Sequence, residues 1–281
     1  MRPLKELKDK PLSLLLRLIV WGAGMMTMLI IIFLVGYIFM NGIPNITPSL
    51  FEWEYNTENV SLTPALINTL LMIGFSLAFA APLGIFAAIW LVEYAKRGNR
   101  LVNVVRLAAE TLTGVPSIVY GLFGMLLFGV FFGWGYSLMS GVCTLSIMIL
   151  PLIMRTTEES LLTVPDSYRE GSFALGAGKL RTVFSIILPS AAPGILAGII
   201  LAVGRIAGET AALIFTAGTV ARVAESAMSS TRTLAVHMYL LASEGLYTNQ
   251  AYATAAILLG VVLSINGLSS FVAKRFSQLE G

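Results

Sequence analysis

The sequence predicts an all-α integral membrane protein of about six transmembrane helices, and three observations carry that prediction. Of 281 residues, 57% are hydrophobic and 12% charged, with a mean hydropathy of +0.84, a composition foreign to water-soluble domains of this length. Apolar runs long enough to cross a ~30 Å hydrocarbon core recur along the chain. The basic residues fall between those runs on alternate loops, so a net charge of +3 signals topology and excludes a nucleic-acid-binding face.

The chain begins with Arg2, Lys5, Lys8 and Lys10 ahead of an apolar run at 18–40. That run is too long for the core of a cleaved signal peptide and has no small-residue cleavage site at its end, so it is read as the first span. Residues 41–63 hold no Lys or Arg but carry Glu52, Glu54 and Glu58, which places them outside. The second run, 65–92, contains Pro82-Leu83-Gly84, and the third, 112–132, contains Gly114-Val115-Pro116 near its cytoplasmic end. Such breaks fit either a fixed bundle geometry or a gating hinge. Gly121 and Gly124 suit close helix contact. The fourth run, 136–154, holds the lone Cys143 and is followed by Arg155, either a positive-inside anchor or a substrate exit contact. The fifth run is 193–215 and the sixth 251–271, separated by a long segment, 217–250, assigned to the outside. Lys96, Arg97, Arg100 and Arg106 follow the second span; Arg155, Arg169, Lys179 and Arg181 follow the fourth; Lys274 and Arg275 follow the sixth. Both termini are then cytoplasmic. Residues 1–63 form a basic segment, first helix and outer loop, and residues 64–281 the transmembrane domain proper.

Between the fourth and fifth spans, Ser167 and Glu170 have the spacing of a capping box, and Gly176 with Gly178 can end the helix they start. A helix this short needs a partner surface. Tyr168, Phe173, Ala174 and Leu175 supply apolar contact and Arg169 with Glu170 polar contact. On composition alone, that partner is either another protein or the membrane surface. The pattern Glu170, Gly176, Ile186, Leu188 and Pro189 resembles the cytoplasmic signature of bacterial ABC importer permeases, Glu-Ala-Ala, a Gly three residues beyond, nine more residues, then Ile-x-Leu-Pro. Gly171 and Ser172 stand where that family has two alanines. The resemblance implies a coupling helix around 166–180 that seats Arg169, Glu170, Phe173, Ala174, Leu175 and Gly176 in a groove of an ATPase subunit. Gly176-Ala177-Gly178-Lys179 superficially suggests a phosphate-binding P-loop, but Phe173 and Leu180 occupy positions where that motif needs Gly and Ser or Thr. By the resemblance, ATP and Mg are bound by a separate ATP-binding subunit present in two copies; this chain carries no cofactor and is not an enzyme.

The fifth run contains Arg205 and Glu209. Counted from Pro193 at ~1.5 Å per residue, Arg205 lies about 18 Å into a continuous helix, with Glu209 one turn on and facing the same way. Neither tolerates lipid, so both should line the bundle interior or a wet cavity. They read either as a self-neutralising ion pair or as an oxyanion site, since a guanidinium offers two parallel hydrogen bonds to phosphate oxygens. The stretch from Arg205 to Ala211 with Leu213 to Ala217 resembles the fifth span of PstA-type permeases of phosphate ABC importers. So do Pro82-Leu-Gly-Ile, Glu93-Tyr94, Pro116-Ser-Ile-Val with Gly121-Leu-Phe123, and Arg155-Thr-Thr-Glu158. That resemblance implies a type I ABC importer fold in a bacterial cytoplasmic (inner) membrane, importing inorganic phosphate by alternating access. It also implies a heterodimer with a second permease, fed by an extracytoplasmic phosphate-binding protein, with Arg205, Glu209 and Thr210 at the substrate. An Arg serves any oxyanion, so sulfate, molybdate and phosphonate are alternative cargoes. A secondary anion transporter would show repeated halves and leave the capped helix unexplained. His237 stands alone without other metal ligands, so no metal site is expected. Its surroundings, Leu234 to Leu246, read as an outer interfacial helix, either docking the binding protein or packing on the membrane.

Overall fold

The computed structural model describes residues 11–96 and 98–278, and among these no strand occurs. Arg2, Lys5, Lys8, Lys10 and Arg97 lie outside the described residues. The first helix, α1 (Pro11–Gly42), presents apolar side chains to the surroundings on every side, from Leu15 through Met40. That is the state of a lipid-facing helix, because lipid removes the penalty that water would impose. Two short 3-10 turns, Ile43–Asn45 and Pro48–Phe51, lead to α2 (Thr63–Ile89), which runs through Pro82 without ending. The last stretch of α2 loosens into a π-helical turn at Trp90–Tyr94.

After α2 the chain departs from a simple row of spans. Helix α3 (Arg100–Thr113), capped by the Asn99 side chain on the Leu101 amide, alternates exposed and buried faces. It then bends by 103° into α4 (Ser117–Gly124), which continues as a π turn to Phe131. The predicted third span at 112–132 is thus a short one starting at Ser117. Pro116 withholds an amide and pushes Val115 out of helical geometry, while Gly114 makes the corner cheap.

Helix α5 (Leu138–Thr163) is the axis of the molecule. Its buried face, Leu145, Met148, Ile149 and Ile153, packs against Met72 and Ala80 of α2 and against residues of the fifth span. Gly84 lets α2 approach: a Cβ there would stand 3.0 Å from Ile153 Cγ2. Beyond α5 lie α6 (Asp166–Ala174) and the single turn α7 (Lys179–Thr182), which passes through a π turn at Val183–Ile187 into α8 (Leu188–Ala207). The predicted span at 193–215 is corrected: the apolar helix begins near Lys179, ends at Ala207, and a separate helix α9 (Ala211–Thr216) follows. Helix α10 (Leu234–Glu244) and the final α11 (Thr248–Gln278) complete the chain. Among the described residues five helices are long and apolar enough to cross a membrane, and six if the bent α3–α4 pair counts as one span.

Helix α10 packs its apolar side inward onto the bundle. Leu234, Val236, His237 and Leu241 are buried, and it packs on α11 and α2. The outer segment before it is stapled down by backbone: Asn68 of α2 donates to the Arg222 and Arg232 carbonyls and accepts from Ala224 N, while Thr69 Oγ1 accepts from Leu234 N at 2.8 Å. Hydrogen bonds that satisfy buried main-chain groups hold this irregular stretch in place of a helix.

Candidate functional site

The break between α8 and α9 brings together Arg205, Glu209 and Thr210. Gly204 and Gly208 weaken the helix on either side of Arg205, and the chain leaves helical geometry after Ala207. Glu209 Oε1 then accepts from Ala212 N at 3.0 Å, capping α9. Among the described residues the expected one-turn ion pair is absent, because α8 ends at Ala207 and Glu209 lies in the break before α9. Arg205 sits in the last turn of α8, where the helix dipole favours a cation, and Glu209 precedes α9, where it favours an anion. Each charge is thereby compensated by a helix end. Glu209 is nearly buried, whereas Arg205 is half-buried and, among the described residues, makes neither a hydrogen bond nor a salt bridge. Its guanidinium donors are unspent. Thr210 is half-buried, its hydroxyl 3.4 Å from the Gly208 carbonyl.

The neighbouring backbone is close-packed. A Cβ on Gly121 of α4 would stand 2.8 Å from Ala212 Cα and 3.2 Å from two α9 carbonyls, and one on Gly124 would overlap Thr144 and Thr216. Helix α9 therefore rests directly on α4, the short helix set by the Pro116 corner.

At the opposite end of α5, α6 presents Glu170, Phe173, Ala174, Leu175 and Gly176 to solvent, with Leu175 90% exposed and Tyr168 half-exposed beside them. The helix starts after Pro165 with no side-chain cap, so the Ser167–Glu170 capping box does not form; Asp166 supplies the first-turn negative charge. Gly176, at φ +80°, ends it in the left-handed region that glycine adopts without strain. Arg169 departs from the expected set. It turns inward onto Glu93 at 2.7 Å and onto the Leu161 and Val164 carbonyls. Arg155 is exposed and pairs with Glu159 at 3.1 Å, one turn on.

Sequence reading assigned no partner to three charged residues that the fold uses. Glu93 and Glu158 sit within apolar spans; Glu158 receives Arg106 of α3. Their occurrence late in apolar runs that precede basic loops was the available signal. The third is Arg232, buried over the Tyr55 ring at 4.5 Å. Tyr55 also meets His237 in an edge-on arrangement, centroids 6.0 Å apart. Burial, then the Arg232 charge, lower the His237 pKa to about 3, so its imidazole is neutral at physiological pH.

Comparison with known proteins places these features in context. Residues 80–278 match the family model described as the binding-protein-dependent transport system inner membrane component. The chain is 36% identical over 196 residues to the probable ABC transporter permease protein YqgI of Bacillus subtilis, covering 67% of this chain and 65% of that one. It is 41% identical to the phosphate transport system permease protein PstA of Yersinia pestis, over 57% of this chain and 54% of that one. With PstA of Haemophilus influenzae the identity is 33% over 80% of each chain. The chain thus spans between about half and two thirds of the first two relatives. Among solved structures, a bacterial ABC transporter importing the acidic polysaccharide alginate superposes with a TM-score of 0.66 at 16% identity, covering 96% of this chain and 98% of that one. The inward-facing MetNI methionine ABC transporter gives 0.59 at 18%, over 76% of this chain and 93% of that one. These structures share the fold.

Proposed function

We propose a function from one premise: this chain belongs to the family of binding-protein-dependent transport system inner membrane components. It is a multi-pass, all-α membrane protein with the fold of ABC importer permeases. Within that family, the reading that fits best is the permease subunit of an ATP-driven importer moving inorganic phosphate by alternating access. The observation that carries it is Arg205, a guanidinium without a partner among the described residues, at a helix break in a chain similar to phosphate permeases. Five donors in a planar fork match a tetrahedral oxyanion. Glu209, with one oxygen engaged by Ala212, has a second oxygen to accept the proton that phosphate still carries at neutral pH and sulfate lacks.

The exposed face of α6 is the surface for an ATP-binding subunit, two of which serve a heterodimer of this chain and a related permease. Those subunits hold ATP and Mg; this chain holds no cofactor. The segment 217–250 and the outer loop offer the face toward an extracytoplasmic phosphate-binding protein. Arg155, exposed and already paired, is read as an anchor at the membrane face.

Transport by the complex reconstituted in vesicles tests the cargo. Arg205→Ala should abolish phosphate uptake, and Arg205→Lys should lower it by roughly 10- to 100-fold, the worth of one to two charge-assisted hydrogen bonds. Glu209→Gln retains the acceptor for Ala212 N, so α9 survives and only the charge is removed. Phosphate uptake should then fall relative to sulfate in the same vesicles. Uptake at the wild-type rate by Arg205→Ala would move the substrate site elsewhere.

A further inference from the structure

Arg169 lies on the coupling helix, yet its side chain faces away from the surface that helix displays. Nε and Nη2 both reach Glu93 Oε1, at 3.0 and 2.7 Å. Nη2 also donates to the Leu161 carbonyl at 3.1 Å, and Nη1 to the Val164 carbonyl at 2.9 Å and to Asp166 at 3.2 Å. All three nitrogens are thus engaged within the chain. Leu161 and Val164 are the last turn of α5 and the residue after it, where helix carbonyls lack partners. Glu93 belongs to the π turn that ends α2. One guanidinium therefore ties three elements together. Two further contacts run in parallel: Lys179 Nζ sits 5.0 Å from the Tyr94 ring centroid, and Ser172 hydrogen-bonds Thr182 in a buried position at 2.8 Å.

We infer that Arg169 and Glu93 form a clamp that makes α6 and the cytoplasmic end of α2 one rigid body, so that displacement of α6 is delivered to the membrane helix and not absorbed by the loop. Arg169 is a positioning residue in this role and does not touch the ATPase. The side-chain exposures of the pair, 16% for Arg169 and 8% for Glu93, put it largely out of water, where its geometry is held. Removing one partner strands the other as a buried charge. The delivery of motion rests on the importer reading; the rigid connection does not.

The test uses the full permease–ATPase complex in a Cys143→Ser background, with spin labels at the exposed positions Ser167→Cys on α6, outside the residues assigned to the ATPase, and Phe86→Cys on α2 beyond Pro82. The clamp predicts a narrow distance distribution that stays narrow with and without a non-hydrolysable ATP analogue. Arg169→Gln and Glu93→Gln should each broaden it, and the double variant should be no broader than either alone. In the same preparations the ATPase subunit should remain bound and hydrolyse ATP within about twofold of wild type, while transport falls at least roughly tenfold. A distribution as narrow as wild type in both single variants overturns the inference, as does loss of the ATPase subunit, which would make Arg169 a docking residue. Failure of the wild-type complex to take up phosphate would sink the cargo reading and leave the distance result untouched.

Discussion

At the scale of single residues, the chemistry of this protein lies in charges that apolar helices would not carry without a reason. Arg205 and Glu209 were legible in the sequence because they interrupt a hydrophobic run; their relation to each other was not. A one-turn spacing predicts an ion pair only if the helix continues, and Gly208 together with the Glu209 cap ends it. Arg232 and His237 were invisible as a pair, since the Tyr55 ring that both contact comes from a distant part of the sequence. The buried imidazole has a consequence for pH. Its folded pKa of about 3 lies below the ordinary 6.5, so the neutral form is favoured by the fold. The stability this contributes is complete above pH 6.5 and is lost as pH falls toward 3. Acidification to pH 5 should therefore cost about 2 kcal/mol locally. Protection factors of α10 amides, exchange corrected for its intrinsic pH dependence, should fall roughly 30-fold between pH 6.5 and 5 in wild type, and the fall should vanish in His237→Phe. Equal exchange in the two proteins across that range would refute the assignment. Val60, a β-branched residue at φ +48° and fully buried, belongs to the same region, so the outer loop carries backbone strain that this packing must hold.

At the scale of elements, hydropathy located the six membrane-crossing segments within a few residues for α1, α2 and α11. It failed at both ends of α8 and at the start of α4, because a Pro or Gly in an apolar run leaves the hydropathy unchanged while deciding whether the helix bends or ends. Pro82 is absorbed within α2, whereas Pro116 turns the chain by 103°. Context decides: α5 packs tightly on α2 at Gly84, while Pro116 stands two residues after Gly114, which ends α3. The short α6 was legible from its signature, and its inward-facing Arg169 was not, since helical spacing alone does not say which face finds Glu93. The glycine contacts make a quantitative claim. Gly121→Ala drives a methyl against the α9 backbone, which cannot rotate away, and should destabilise by about 1–3 kcal/mol. Gly74→Ala, with nothing within 4 Å of the added carbon, should be neutral or slightly stabilising by helix propensity. Thermal inactivation midpoints of the two variants in the same detergent discriminate them. A Gly121→Ala midpoint equal to wild type would mean that α4 and α9 are not in contact.

At the scale of the whole molecule, the charge pattern predicts an orientation across the membrane. The helix α6 and the clamp lie at one end of α5, and the segment 217–233 with the Asn68 staple lies at the other. Reporters fused at Ser277 or inserted at 96–100 should be cytoplasmic, and those near Asn56 and Asn249 external. An external Ser277 reporter would mean that the bent α3–α4 pair does not cross, leaving an odd number of spans. Helix α1 adds a feature of a different kind. Its main partner is α11, where Gly42 lets the backbone of Tyr252 approach and Tyr37 meets the Tyr252 ring edge-on. Among the described residues the first helix thus docks on the last. Helix α1 therefore gains its main partner only once α11 has been synthesised and inserted, and until then it is tethered through the loop that leads to α2.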